Sequence, residues 1–234
     1  MNGIDCFFEG FRLVRQPGLR QYVLIPLAIN FVVLGIVMFY GAGQYDALVA
    51  AITGWLPEWL AFLAGVMTFL AAVMIFAVGI YLFTIVANII ASPFNAILSE
   101  KVEEHLVPGL VRESPGVMLI IGRSVAREIS KLLYLLPRLL GLLILSVIPG
   151  VNALAPFAWI LFGAWMMAIQ YVDYGADNNQ VSFPELKARL GSCRFQALLF
   201  GLVVYFILAI PVVNLFLIPV AVAGGTVLWV QHLR

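Results

Sequence analysis

Residues 21–45 read QYVLIPLAINFVVLGIVMFYGAGQY, without a single Asp, Glu, Lys or Arg, and this stretch decides the class of fold. About 20 apolar helical residues cross the hydrocarbon core of a bilayer, and the stretch supplies 25. Three more uncharged runs follow at 59–99, 139–172 and 195–233, of 41, 34 and 39 residues. None alternates polar with apolar, so each is expected to satisfy its backbone as helix. Together the four runs have room for about six membrane segments. The rest of the composition agrees: 63% of the 234 residues are hydrophobic and 11% charged, where a soluble domain carries about 25% charge. A soluble globular domain is excluded.

Other classes fall away on charge and cysteine. A net charge of +1 and two cysteines, Cys6 and Cys193, suggest neither a nucleic-acid partner nor a disulfide framework. The first apolar run is too long for a signal-peptide core, and the residues before Cys6 do not resemble a lipoprotein cleavage site, so the N-terminus is expected to stay on.

The polar segments also carry a helical period. Ile4, Phe7, Phe8, Phe11 and Val14 repeat at three and four, with Asp5, Glu9, Arg12 and Arg15 opposite, which predicts an amphipathic helix lying in the membrane interface. Met118, Ile121, Val125, Ile129 and Leu132 repeat likewise, with Arg123, Arg127, Glu128 and Lys131 facing away. Joined through Pro108, Gly109 and Pro115 to a shorter arm, Ala96 to Leu106, they are expected to form a helical hairpin outside the bilayer. Its charges, Glu100, Lys101, Glu103, Glu104, Arg112 and Glu113, read as a solvated or salt-bridged face.

If the run from Gln21 goes out and the run from Trp59 returns, Asp46 and Glu58 occupy the only far loop, and all 13 basic residues fall on the N-terminal side. The positive-inside rule then places both termini in the cytoplasm, with Trp55 and Trp59 at the opposite interface.

Ile148-Pro149-Gly150-Val151-Asn152 is repeated 62 residues on by Ile210-Pro211-Val212-Val213-Asn214, with a further proline after each at Pro156 and Pro219. The duplication suggests two related hairpins. Their first arms, Leu139 to Ile148 and Phe195 to Ile210, are roughly 15 and 24 Å long against a core of about 30 Å. Re-entrant hairpins are therefore favoured over full spans, unless the first arm begins near Leu132 with Arg138 snorkelling. By contrast, a helix from Leu60 to Ala91 would reach about 48 Å before Pro93 bends it. The expected fold is an all-α integral membrane protein in one domain over 1–234. It has an interfacial helix at 1–17, long transmembrane helices at 18–45 and 59–98, a cytoplasmic-side hairpin at 96–131 and re-entrant hairpins at 132–173 and 195–232. Such a wedge does not seal lipid alone, which points to a homo-oligomer surrounded by membrane lipid.

Chemistry is scarce. His105 and His232 lack a partner pattern, and no Gly-rich loop ends in Lys before Ser or Thr, so neither a metal site, a cofactor nor a catalytic residue is expected. One constellation stands out: Gln16-Pro17-Gly18-Leu19-Arg20, directly before the first spanning run. Proline at a helix opening lacks only a donor that the helix does not use. The unpaired amides after it carry the positive end of the macrodipole, and Arg20 adds a planar fork of donors suited to tetrahedral oxyanions. Arg12 and Arg15 deepen the potential. The plainer reading is that these arginines anchor the helix to anionic headgroups.

Four stretches, FEGFRLVRQPGLRQYVLIP (8–26), ANIIASPFN (87–95), the I-P-G-V-N turn and WMMAIQYVDYGADNNQVSF (165–183), resemble the CysZ family of bacterial sulfate permeases. The similarity runs the whole length. The resemblance implies an oligomeric, multi-pass bacterial inner-membrane protein that admits sulfate for cysteine synthesis. It also implies two long transmembrane helices and two hemi-penetrating hairpins. The family's sulfate-binding Gly-Leu-Arg motif falls on Gly18, Leu19 and Arg20. Its following position is often a second arginine; here it is Gln21, and Arg15 is the compensating cation. The family's Asp-Tyr-Pro is also altered, with Gly175 after Asp173 and Tyr174. Asp173, Tyr174, Asp177 and Asn178 read as capping and loop residues.

Moving a dianion inward against an interior-negative potential costs about 4.6 kcal/mol per 100 mV. No carboxylate lies in the uncharged runs to relay protons, so a channel-like path is favoured over a proton-coupled carrier. Asn152, Asn214, Asn88 and Asn95 offer amide stations along it or, more simply, interhelical hydrogen bonds, Arg138 is a deeper positive one, and Arg123 and Arg127 form a vestibule or, more simply, surface pairs. Sulfite and thiosulfate are alternative cargoes. A scaffold or accessory subunit of another transporter is the competing function, and an enzyme acting on a sulfated or phosphorylated lipid ranks last for want of a nucleophile and base.

Overall fold

A computed structural model of the protein describes residues 1–55, 57–110 and 117–234. Among them every regular element is helical: α1 Gly3–Leu13, α2 Gln21–Thr53, α3 Ala64–Leu106, α4 Val117–Val147, α5 Ala155–Asn178, α6 Phe183–Ser192, α7 Arg194–Leu208 and α8 Pro211–His232. Short 3-10 segments at Glu58–Leu63 and Asn152–Leu154 lead into α3 and α5. Arg112, Glu113 and Pro115 lie outside the described residues, as do the side chains of Asn88, Met118, Ile121, Arg123 and Val125. Four stretches are long and apolar enough to cross a membrane: Gln21–Ala51, Ala64–Phe83, Ala126–Val147 and Asn152–Asn178.

The chain divides into two compact units, one of Met1–Val23 with Asn95–Arg234 and one of Leu24–Phe94. The first contains the core. Phe200, Leu186, Leu190, Leu228 and Trp229 are wholly buried there, together with Leu98 and Val102 from the last turns of α3. Small residues set its spacing. A methyl on Gly10 of α1 would meet the backbone of Gly224 in α8, and one on Gly201 of α7 would meet the carbonyl of Ala164 in α5. Such contacts bring helix backbones together, and packing rather than hydrophobicity holds apolar helices in lipid.

α1 packs one side of its apolar stripe on protein. Asn2 and Asp5 close a capping box at its start, with Asn2 accepting from the Asp5 amide at 2.8 Å and Asp5 from the Asn2 amide at 3.1 Å. Gly3, Cys6, Phe7, Gly10 and Leu13 are then buried, against α7 and α8, while Phe8 stays 59% exposed. The period found the apolar stripe but gave no weight to the two glycines that turn it toward protein.

In the second unit Gly79 of α3 faces Val37 of α2, with its Cβ direction 3.9 Å from a Val37 methyl. Elsewhere the two helices present large apolar side chains outward, among them Phe31, Phe39, Phe69 and Phe76. Trp55 and Trp59, 91% and 76% exposed, stand between the helices. Apolar surface on this scale is not stable against water.

Helix ends depart from the charge boundaries. α2 starts at Gln21 rather than 18 and continues past Tyr45 to Thr53. α3 passes through Pro93 to Leu106, so the arm expected from Ala96 is its continuation, not a separate helix. α4 passes through Pro137, and the first hairpin's arm is not the short piece after Arg138: Ala126–Val147 alone is 22 residues, about 33 Å. The physical reason is that Arg138 does not need to leave the helix. Its guanidinium donates to the Tyr134 carbonyl at 2.8 Å and stacks 3.5 Å from the Tyr134 ring centre. α7, by contrast, has 15 residues and meets α6 at a bend of 104°.

The repeated motif has one shared closure. Asn152 N–H donates to the Ile148 carbonyl at 3.0 Å, and Asn214 N–H to the Ile210 carbonyl at 2.9 Å. The copies diverge between these points: Gly150, at φ +84°, permits a turn in the first, while the second starts α8 directly at Pro211.

Candidate functional site

The turn between α1 and α2 is built on one carbonyl. Gln16 O accepts from both the Leu19 amide at 3.2 Å and the Arg20 amide at 3.1 Å, and Gln16 N–H donates to Leu13 at 2.9 Å. Two of the amides expected to face an anion are thus spent inside the turn. The amides of Gly18 and Gln21 take no part in that bonding. Gly18 adopts φ +92°, which favours glycine over any residue with a side chain, and nothing lies within 4 Å of where its Cβ would be. Its role is thus to allow the turn as well as to leave it open.

Leu19 is 5% exposed and belongs to the core, so it pins the turn while Gly18, Arg20 and Gln21 remain exposed on either side. Arg20 has no carboxylate partner among the described residues. Arg15 lies over the Phe11 ring at 4.0 Å, which leaves its charge unneutralised, whereas Arg12 pairs with Glu9 at 3.6 Å. Among the described residues Arg15 and Arg20 are thus exposed guanidiniums without a carboxylate partner, and Arg20 directly precedes the positive end of α2.

The other sequence-derived positions lie elsewhere. Arg138 is in mid-α4 on Tyr134, Asn152 is exposed at the 3-10 turn before α5, and Asn214 is half-buried in the first turn of α8. Asn95 is buried in α3. None of them hydrogen-bonds to the Gly18–Arg20 turn among the described residues.

A second polar centre went unread. Arg127, Lys131 and Asp173 are 6%, 7% and 5% exposed and form one buried ionic cluster between α4 and α5. Arg127 binds Asp173 through two guanidinium nitrogens and donates to the Val181 carbonyl. Lys131 donates to Asp173 at 2.7 Å and Glu128 at 2.8 Å, and Asp177 lies 3.6 Å from Arg127. Arg127 is therefore a buried pair rather than a surface one, and Asp173 is an ion partner, not a cap. The signal lay in matched spacing: Arg127 and Lys131 are four apart, as are Asp173 and Asp177, so one face of each helix carries the other's counter-ions. Nearby, the Asn178 side-chain amide and the Ser99 hydroxyl are 3.0 Å apart, Ser99 meets Thr226 at 2.8 Å, and Asn179 donates to Glu103 at 2.7 Å. These bonds tie α3, α5 and α8. In α2, Asn30 is 2% exposed and its side-chain oxygen has no hydrogen-bond partner among the described residues, another buried polar group that the uncharged run concealed.

With this geometry in place, comparison with known proteins is decisive. Residues 6–219 match the family model described as Sulfate transporter CysZ/Etoposide-induced protein 2.4. The chain belongs to this family. A protein named Sulfate transporter CysZ from Pseudomonas syringae pv. tomato is 46% identical, across 99% of this chain and 93% of the relative. One of the same name from Pseudomonas fluorescens strain Pf-5 is 48% identical, across 99% and 94%. The Vibrio cholerae protein of that name is 42% identical, across 100% and 94%. Family membership and the four long apolar stretches together make the chain a membrane protein.

Proposed function

We propose that this protein carries sulfate into the bacterial cytoplasm through the inner membrane, by a channel-like path, and so supplies cysteine synthesis. The observation that carries the reading is the end-to-end match to relatives named as sulfate transporters. The role is transport rather than catalysis. In this reading Gly18, Leu19 and Arg20 form the first sulfate station: Gly18 keeps the turn open, Leu19 anchors it, and the Arg20 guanidinium takes the ion, with Arg15 and the Gln21 amide alongside. Arg138, Asn152 and Asn214 serve as later stations. Both termini face the cytoplasm in a multi-pass arrangement, α2 and α3 cross the bilayer, and the hairpin of α7 and α8 enters without crossing, while the arms of the first hairpin, Ala126–Val147 and Asn152–Asn178, are long enough to cross. The chain functions as a homo-oligomer in lipid, and sulfite and thiosulfate are secondary cargoes.

Two measurements test this. Isothermal calorimetry of sulfate on Arg20→Ala is expected to show affinity reduced roughly 10- to 100-fold, the loss of a charged hydrogen bond. Affinity equal to that of the unaltered protein removes the station. Labelled-sulfate flux into liposomes holding only this protein tests transport itself, and no flux assigns the chain an accessory role.

A further inference from the structure

At the elbow where α6 meets α7, a cavity of about 600 Å³ opens between α4, α5 and the bend, lined among others by Tyr134, Trp165, Lys187, Arg194 and Leu198. Its chemistry is one-sided. Lys187 sits 4.7 Å from the Tyr134 ring centre and 5.3 Å from that of Phe183. Arg194 donates to the Gly191 carbonyl at 3.0 Å. Arg138 stacks on the same Tyr134 ring. None of these three cations has a carboxylate partner among the described residues, and the nearest acid on α6, Glu185, is held by Arg189 at 2.6 Å. Tyr134 accepts from the Trp165 indole at 3.0 Å, which leaves its own hydroxyl proton to donate.

We infer that this cavity binds the phosphodiester headgroup of an anionic phospholipid, with Lys187 and Arg194 as its cations and the Tyr134 hydroxyl as its neutral donor. The headgroup is favoured over a free tetrahedral anion on two grounds. The cavity greatly exceeds the volume of a single oxyanion. It also sits where the charged helix α6 turns by 104° into apolar α7, with Phe195 and Leu133, 70% and 68% exposed, available to acyl chains. A Trp–Tyr pair at a change from polar to apolar surface marks headgroup depth.

The test titrates delipidated protein with short-chain phosphatidylglycerol or phosphatidylcholine, read by native mass spectrometry. Phosphatidylglycerol is expected to be retained over phosphatidylcholine. Lys187→Ala and Arg194→Ala should each lower that retention about fivefold, and Tyr134→Phe should lower it while leaving the fold intact. Equal retention of the two lipids, or undiminished phosphatidylglycerol binding in the Lys187→Ala/Arg194→Ala double variant, overturns the site. Displacement of the lipid from unaltered protein by millimolar inorganic phosphate overturns the lipid assignment and makes the cavity a soluble-oxyanion site.

Discussion

Asp173 shows how much a single side chain decides. It neutralises both Arg127 and Lys131 inside the protein, and removing one member of a buried ionic group strands the others. Asp173→Asn is expected to destabilise by about 3 to 5 kcal/mol, measured as a fall in detergent-solubilised melting temperature. Replacing Asp173, Arg127 and Lys131 together with apolar residues of similar volume should recover most of that loss. Cys6 offers a second reading at this scale. Burial is the largest cause that pushes its thiol from 9.0 up to about 11. The folded state thus favours the neutral thiol, and the resulting stability is complete below about 9 and lost as pH rises to about 11. A maleimide at neutral pH is expected to spare Cys6 until the protein unfolds; rapid labelling of native protein refutes this.

Helices pack here through the residues that contribute least hydrophobicity. Gly201→Ala places a methyl on the Ala164 carbonyl, and α7 has nowhere to retreat because Phe200 and Val204 are themselves buried. Overpacking of this kind costs about 1 to 3 kcal/mol. Gly41→Ala, on an open stretch of α2 with nothing within 4 Å, is expected to cost nothing and to gain up to about 1 kcal/mol of helix propensity. Parallel thermal melts separate the two, and equal losses would mean that the close approach of α7 and α5 is not what constrains Gly201. The prolines belong to this scale too. Pro93 and Pro137 lie inside long helices, since an apolar helix held by neighbours tolerates a missing donor that would end an isolated one.

For the whole molecule, a channel-like path and a coupled carrier differ in their response to voltage. With no coupling, 100 mV interior-negative should lower the equilibrium inside-to-outside sulfate ratio by about three decades. Proteoliposomes clamped with a potassium gradient measure this directly; a ratio that instead follows an imposed proton gradient identifies a carrier. Association, expected because the short arm of α7 does not span and seal lipid alone, is read as a cross-linked species heavier than the 25.7 kDa chain in native-like lipid.

Composition and charge spacing alone determined the class, because a run of uncharged apolar residues longer than the bilayer is thick has one stable conformation. They also marked the exposed turn, since Pro17, Gly18 and Arg20 act through local backbone geometry and charge that neighbours in sequence carry. What the sequence left open depends on partners distant in the chain. Arg127 read as a surface charge until Asp173, remote in sequence, came to face it, and the side of α1 that packs on protein shows only where Gly10 meets Gly224. Only tertiary structure decides such matters. The period of a helix tells which residues share a face, whereas the free energy of burying a charge or dropping a side chain is set by the atoms on the opposing face.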